Sequence, residues 1–323
     1  MTEPIEVVAS RLWKTSPTRR PALGYAVYVG VVLLFSINGT VSKSIMSSGM
    51  TPERLSQFRA TASFLVLLIA AVIVNPRALR TTKRELALLA AYGVLGVTMT
   101  QYLYFIAISR LPVGVGLLLE FTAPIMIALW LRFVVRQHVR PQLWLGLALA
   151  LGGLAVVAQV WQGLTLDGLG VTAGFGAAAA LALYYLVGER AASRRDPLTL
   201  TTWSFGFATI FWALLQPWAT FPWVALEGST VIPTNAGHVT VSVAVLATYM
   251  VLLGTVVTFA CVNFSLRHLT ASQASVVGMT EPLMASAVAW LALGERLTAV
   301  QIVGGVVVLV GILLAEFSRY RTT

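Results

Sequence analysis

Ten apolar runs divide the chain, and each is long enough to cross a lipid bilayer as a helix. A hydrocarbon core of roughly 30 Å needs about 20 helical residues at a rise of about 1.5 Å each. The runs are Leu23–Ile45, Leu55–Val74, Leu86–Ile108, Val113–Val135, Leu143–Val160, Leu169–Val187, Leu198–Trp218, Val241–Phe264, Ala271–Leu293 and Thr298–Ala315. Most linkers are short, so neighbouring spans are antiparallel, and none offers room for a soluble domain. We therefore predict an all-α integral membrane protein with ten transmembrane helices.

The composition agrees with this class, because 58% of the 323 residues are hydrophobic and 11% are charged, whereas soluble proteins carry roughly 25% charged residues. A single cysteine, Cys261, excludes a disulfide framework, and with only 3 histidines the chain is poor in zinc ligands. We predict no metal and no cofactor. The net charge of +10 does not indicate a nucleic-acid partner, because basic residues of membrane proteins collect on cytoplasmic loops.

The basic residues predict the orientation of the bundle. If the N-terminus is cytoplasmic, 17 of the 22 lysines and arginines lie in inside segments, 4 lie outside, and Arg59 lies within the second span. This excess predicts cytoplasmic tails over residues 1–22 and 318–323, in a multi-pass protein of the plasma (inner) membrane. The longest linker, Ala219–Thr240, carries no Lys or Arg and is predicted to lie outside. Cysteine labelling should therefore find Asn235 outside and Arg194 inside.

The two halves of the chain repeat one another. A shift of 158 residues superposes the segment that begins at Gly96 on the one that begins at Gly254, and it aligns Pro124 with Pro282. Each half thus holds five spans, over residues 23–162 and 163–317. Because five is odd, the second copy starts from the opposite side of the membrane, which predicts an inverted-topology repeat. In duplicated membrane chains the binding site lies at the repeat interface.

Three segments resemble one family of transporters. They read "FSINGTVSK", "LPVGVGLLLEFTAPIMIAL" and "LTASQASVVGMTEPLMASAVAWLALGERLTAVQIVGGVVVLVGILL", and they are similar to the EamA-type transporters of the drug/metabolite transporter superfamily. The resemblance implies two EamA repeats around a central cavity and export of small metabolites. "LEFTAP" is similar to the threonine/homoserine exporter branch. The first half departs from the pattern, since "VVRQHVRPQ" stands where the family's "LGER" would.

Glu120 is the most informative residue of the fourth span. Counted inward from Val113, it lies roughly 12 Å below the outer surface at about 1.5 Å per residue, where a charge is costly and normally faces a cavity or a partner. Pro124 has no N–H to donate to the carbonyl of Glu120. Pro282 likewise frees a backbone carbonyl in the ninth span, beside Glu281. Paired helix breaks of this kind predict the transport site, although Glu120 in a structural ion pair is the alternative.

Other polar residues fall at the same depth. Asn38, Arg59 and Gln101 lie roughly 11–12 Å from the outer surface by the same count. Arg59 and Glu120 are therefore predicted to face the cavity and to neutralise one another, directly or through water. The alternative for Arg59 is a fixed link between helices, and Asn38 and Gln101 have the same alternative.

Fewer candidates come from the second half. Glu281 lies near the midplane, and Tyr184, Trp203 and Asn263 lie nearer the cytoplasmic mouth. We predict that all four belong to the substrate pathway, while an interfacial aromatic belt is the alternative for Tyr184 and Trp203.

These residues predict a secondary-active transporter that exports amino acids or related small polar metabolites by alternating access, with a zwitterion in contact with Glu120 and Arg59. Drugs, nucleobases or other metabolites are alternative substrates. A membrane-embedded enzyme or a non-transporting scaffold is the alternative of a different class, but the sequence has no metalloprotease, serine-hydrolase or phosphate-loop motif, and we predict no catalytic residue. The expected partners are a small-molecule substrate and the lipid bilayer, with protons as a candidate coupling ion, in a monomer or homodimer.

Overall fold

The computed structural model describes residues 19–160, 167–234, 237–288 and 298–320. Within these residues, eight helices are long and apolar enough to span a membrane, and Pro141–Val157 is a shorter apolar helix. A tenth segment consists of two half-helices, Ala271–Gly278 and Glu281–Val288. The predicted class is confirmed: the protein is a helical integral membrane protein, and its described residues contain ten apolar helical segments.

The segments are numbered α1 to α10 along the chain. They are α1 Pro21–Ser47, α2 Pro52–Val74, α3 Glu85–Arg110, α4 Val113–Val134, α5 Pro141–Val157, α6 Gly168–Ala192, α7 Pro197–Leu215, α8 Val243–Leu266, α9 (the two half-helices Ala271–Gly278 and Glu281–Val288) and α10 Ala299–Tyr320. Four of them begin at a proline, where the missing N–H costs no hydrogen bond. Asp196, Thr270 and other side chains accept from the first turns, which fixes where these helices start.

Contacts at the two ends of the bundle show the direction of the helices. Arg19, just before α1, forms an ion pair of 2.7 Å with Glu189 near the end of α6. At the opposite end, Arg110 closes α3 and lies 3.3 Å from Asp167, the residue that caps the start of α6. The first helix of one half therefore runs antiparallel to the first helix of the other, as an inverted repeat requires.

Proline divides two helices at equivalent positions. In α4 the first half-helix ends at Glu120 and the second begins at Ala123. In α9 the break separates Gly278 from Glu281. Pro124 and Pro282 follow these breaks, so neither can donate the backbone hydrogen bond that would continue the helix. The helix breaks predicted from the sequence are present in both halves.

Two further helices widen into a π-helical turn, at Tyr92–Thr98 in α3 and at Leu252–Val257 in α8. These turns were not predicted from the sequence. In each, a threonine hydroxyl donates to the carbonyl five residues earlier: Thr98 to Gly93 at 2.8 Å and Thr255 to Met250 at 2.7 Å. Such turns expose backbone carbonyls and are frequent at functional sites.

The linker before α8 contains a β-hairpin that the all-α prediction left out. Strand β1, Ser229–Thr234, pairs antiparallel with β2, Gly237–Ser242. Its β-branched residues explain the strands, since valine, isoleucine and threonine fit a pleated backbone. Asn235, the residue proposed for labelling, lies outside the described residues.

Glycines let α5 and α10 pack closely. A Cβ added at Gly153 would lie 2.7 Å from the carbonyl oxygen of Gly304, and one added at Gly311 would lie 2.6 Å from the carbonyl oxygen of Gly146. The two helices therefore touch backbone to backbone, as small residues allow in membranes. This pair lies beside the other eight helices and contributes no residue to the central cavity in the described part of the chain.

Candidate functional site

A cavity lies at the level of the two helix breaks, between the halves. Residues of α1, α2, α3, α4, α6, α8 and α9 line it. The volume in which the centre of a water molecule fits is about 80 Å³. This is several times the roughly 10–15 Å³ that one water needs by the same measure. The cavity thus has room for a few waters or a small solute. Its charged and amide side chains are those of Asn38, Arg59, Gln101, Glu120 and Glu281.

Both carboxylates of the cavity stand at a helix break. Glu120 is the last residue of the first half of α4, and Glu281 is the first residue of the second half of α9. Glu120 is 8% exposed. Neither carboxylate forms an ion pair or a hydrogen bond with another described residue. The two groups therefore point into the cavity and are open to a solute or water.

Arg59 lines the same cavity, but its guanidinium is held by the second half of the protein. Its Nε donates to the hydroxyl of Thr255 at 2.6 Å, and its Nη2 donates to the carbonyl of Gly254 at 2.9 Å. Both acceptors belong to the π-helical turn of α8. The guanidinium carbon also lies 5.6 Å from the ring centre of Phe105 and 5.9 Å from that of Phe259. Arg59 is only 2% exposed.

Asn38 completes the environment of Arg59. With its amide oxygen turned towards the guanidinium, Asn38 accepts from Nη1 at 3.3 Å and from Nη2 at 3.2 Å. Gly254 permits this approach, because a Cβ there would lie 2.5 Å from the Asn38 amide. No ion pair joins Arg59 to Glu120 within the described residues. Both side chains line the cavity, as the sequence predicted. The direct pair is not formed, because depth along a helix does not fix the direction of a side chain, and the link through water stays a prediction.

Gln101 and Tyr184 also reach the cavity, as predicted. The amide nitrogen of Gln101 is buried and has no acceptor among the described residues, which leaves a donor available to a bound solute. The ring of Tyr184 stacks on that of Tyr92, with centres 5.1 Å apart. Tyr184 therefore forms part of the aromatic wall of the cavity.

Trp203 and Asn263, in contrast, lie away from the cavity. Asn263 accepts from the hydroxyl of Tyr92 at 2.6 Å and donates to Thr201 at 2.8 Å, so it links α3, α8 and α7. Trp203 lines a separate apolar pocket between α2 and α7, beside Phe64. Both were predicted as pathway residues nearer the cytoplasmic mouth, and in this structure neither lines the central cavity.

Comparison with known proteins assigns the family. The model of the EamA-like transporter family matches residues 22–159 and 168–317. The chain belongs to the EamA-like transporter family. It is 27% identical to the threonine/homoserine exporter of Escherichia coli (strain K12) over 294 residues, which cover 88% of each chain. It is 26% identical to an uncharacterized transporter of Bacillus subtilis (strain 168) over 264 residues, 82% of this chain and 81% of that one.

A solved crystal structure shares the fold of this EamA-like transporter. It superposes with a TM-score of 0.73 at 16% sequence identity and covers 94% of this chain and 100% of that chain. The family and the relatives make this a multi-pass membrane transporter. The resemblance inferred from the three sequence segments is confirmed.

On the predicted cytoplasmic side of the cavity, side-chain contacts of this EamA-like transporter join α1, α6 and α9. The hydroxyls of Tyr28 and Tyr185 share a short hydrogen bond that joins α1 to α6. Further along, Glu189 pairs with Arg19 and also accepts from the backbone N–H of Ala271 at 2.8 Å. A second cavity of about 330 Å³ lies beyond these contacts and is lined in part by Arg19 and Glu189.

Most aromatic residues of the cavity were not predicted from the sequence. Tyr104, Phe121, Tyr185 and Phe259 line it together with Tyr184. A usable signal was present, because Phe121 and Tyr185 directly follow residues that had been selected. Of the aromatic residues, only Tyr184 and Trp203 were predicted to belong to the pathway, because charged and amide side chains are the stronger signals within a membrane.

Proposed function

We propose that this transporter is a secondary-active exporter of amino acids or related small polar metabolites. One observation carries the proposal: equivalent breaks in α4 and α9 bring Glu120 and Glu281 to one cavity between the two halves. Intramembrane carboxylates are costly in lipid and typically mark a substrate or ion pathway. The name of the Escherichia coli relative, a threonine/homoserine exporter, supports the substrate class.

Alternating access is the mechanism that fits this arrangement. The two halves would rock about the central cavity, so that it opens first to the cytoplasm and then to the outside. Opening to the cytoplasm requires that the Tyr28–Tyr185 hydrogen bond and the contacts of Glu189 break. These contacts link α1, α6 and α9, so their loss frees helices from both halves.

Protons are the coupling ion that we propose. A proton and a positively charged substrate compete for a cavity carboxylate, because each lowers the affinity of the carboxylate for the other. Binding of the substrate would then release a proton from Glu120 or Glu281, and protonation from the other side would release the substrate. Exchange of this kind needs no residue beyond those already in the cavity.

The test uses the purified protein in liposomes loaded with a mixture of metabolites, followed by counterflow and by transport in pH gradients. Glu120→Gln keeps the size of the side chain but removes its charge and its proton. We expect transport to fall at least about tenfold, which corresponds to roughly 1.4 kcal/mol in a barrier. Glu227→Gln, which alters an exposed carboxylate in the outer linker, is the matched control and should transport normally.

Two results would count against the proposal. Folded Glu120→Gln protein that transports at the wild-type rate between pH 5.5 and 8 would remove Glu120 from the pathway. Absence of counterflow for every metabolite would favour an enzyme or a scaffold over a transporter of this class.

A further inference from the structure

We infer that the cavity recognises the ammonium group of its substrate and forms no ion pair with a substrate carboxylate. The inference rests on the proposed function and narrows its substrate class to small solutes that carry an ammonium group. It changes the role expected for Arg59, which the sequence had suggested as the partner of a zwitterion's carboxylate.

The guanidinium of Arg59 is already occupied. It has five N–H donors, and the protein supplies acceptors for Nε, Nη1 and Nη2 from Thr255, Gly254 and Asn38. The rings of Phe105 and Phe259 lie within 6 Å of its carbon atom. A carboxylate that bound here in the usual two-pronged manner would have to displace contacts between the two halves of the protein. Arg59 is therefore a positioning residue that joins α2 to α8.

Unlike Arg59, the two carboxylates of the cavity have no hydrogen-bond partner among the described residues. Glu120 and Glu281 face one arginine, so acidic side chains outnumber basic ones two to one among the cavity residues. A positively charged solute provides N–H donors to both carboxylates and neutralises the negative charge that they acquire when they release their protons. A carboxylate on the solute would instead be repelled by that negative charge.

The walls favour a cation as well. The rings of Tyr104, Phe121, Tyr184, Tyr185 and Phe259 line the cavity. An aromatic face attracts an ammonium group through its quadrupole, and rings around a cation are a common means of binding organic amines. The unpaired amide nitrogen of Gln101 adds a neutral donor that suits a hydroxyl or carbonyl oxygen. Together these groups fit a small amine that also carries a hydroxyl or carbonyl oxygen.

The proposal is tested with three related probes in proteoliposomes. Homoserine carries both charged groups, 3-aminopropan-1-ol lacks the carboxylate, and N-acetylhomoserine lacks the ammonium. Radiolabelled homoserine counterflow is measured with each unlabelled probe as competitor, with protein-free liposomes to correct for leakage of the amine. We expect 3-aminopropan-1-ol to compete within about threefold of homoserine and N-acetylhomoserine to compete at least tenfold more weakly. Direct binding of all three probes to purified protein is measured in parallel.

Glu281→Gln separates recognition from folding. It should weaken binding of 3-aminopropan-1-ol at least tenfold and leave the weak binding of N-acetylhomoserine unchanged, while Glu227→Gln should alter neither. A purely structural role of Glu281 would instead reduce all probes in proportion to the loss of folded protein. That outcome would overturn the assignment of Glu281 to the ammonium site.

Two results would overturn the inference as a whole. Competition by N-acetylhomoserine that equals or exceeds that of the amine would show that the carboxylate is the recognised group. Failure of both amines to bind would also overturn it. Counterflow of another class of solute in that case would leave the proposed function intact, because only the ammonium preference would have failed.

Discussion

The contact between α5 and α10 makes a quantitative prediction about stability. In Gly153→Ala, the new methyl group would lie 2.7 Å from the carbonyl oxygen of Gly304 and 2.7 Å from the backbone N of Val308. Ordinary van der Waals contact begins at 3.4 Å, so the helices must separate by about 0.7 Å. A gap of about 0.5–1 Å forfeits a quarter to a half of the dispersion energy along an interface. Overpacking of this kind costs about 1–3 kcal/mol in proteins.

The neighbouring glycine provides the control. Gly152 lies on the same helix, and a Cβ added there meets no other atom within 4 Å. Gly152→Ala should therefore leave the free energy of unfolding unchanged or raise it slightly, since alanine is the better helix former. Gly311→Ala, at the position equivalent to Gly153, should behave like Gly153→Ala because its Cβ would lie 2.5 Å from the backbone N of Ala150.

Unfolding in mixed micelles with increasing dodecyl sulfate measures the difference directly. The variants at Gly153 and Gly311 should unfold at lower denaturant fractions than the wild type, while the affinity for substrate should be unaffected in the protein that remains folded. The free energies of unfolding of Gly153→Ala and Gly152→Ala are compared directly. A difference of less than about 0.5 kcal/mol, a size typical of surface substitutions, would show that close backbone packing does not stabilise this helix pair.

Three further predictions concern the ends of the helices and the predicted cytoplasmic side of the cavity. Glu189→Gln keeps an oxygen that accepts from the backbone N–H at the start of α9, whereas Glu189→Ala removes it. In thermal unfolding, the free energy of unfolding of Glu189→Gln should exceed that of Glu189→Ala by about 1 kcal/mol, the usual value of a helix cap. Equal melting temperatures would show that the cap contributes nothing. Tyr185→Phe removes the hydroxyl that bonds across to α1, so a cysteine introduced at Leu181, in protein without the native cysteine, should react faster with a label added from the cytoplasmic side. An unchanged labelling rate would exclude a role of that bond in closure. The backbone N–H of Gly170 and then a neighbouring arginine lower the pKa of Asp167, so the stability that this carboxylate contributes is complete at neutral pH and is lost as the pH falls below about 4 through its folded pKa. In Asp167→Asn, the free energy of unfolding should therefore fall less steeply as the pH is lowered below about 4. The same steepness as in the wild type would contradict this.

The sequence predicted the fold well because its strongest signals are local. The membrane-spanning helices could be predicted from the length of the apolar runs alone. The breaks in α4 and α9 could be predicted from proline alone, because it has no backbone N–H to donate. Repeat alignment marked Gly96 and Gly254, and both lie in π-helical turns, although nothing in the alignment specified that geometry. The hairpin before α8 was missed because apolar length was the only criterion applied there.

The site was predicted in part. Depth along a helix correctly grouped Glu120 with Arg59, since both line the cavity. Depth gives no information about the direction around the helix axis. It therefore could not predict that Trp203 and Asn263 lie outside the central cavity or which groups accept from Arg59. Those acceptors lie in α8, and only the packing of the two halves against each other brings them to α2.

That distance along the chain has a consequence for synthesis in the cell. Arg59 and its acceptor Gly254 are 195 residues apart, and chains grow at roughly 5–20 residues per second, so α2 exists for roughly 10–40 s before α8 is made. During that time the guanidinium has none of its acceptors in α8, and its burial in lipid would cost several kcal/mol. We therefore expect α2 to enter its final position only when α8 arrives, so that the first half of the protein is completed by the second.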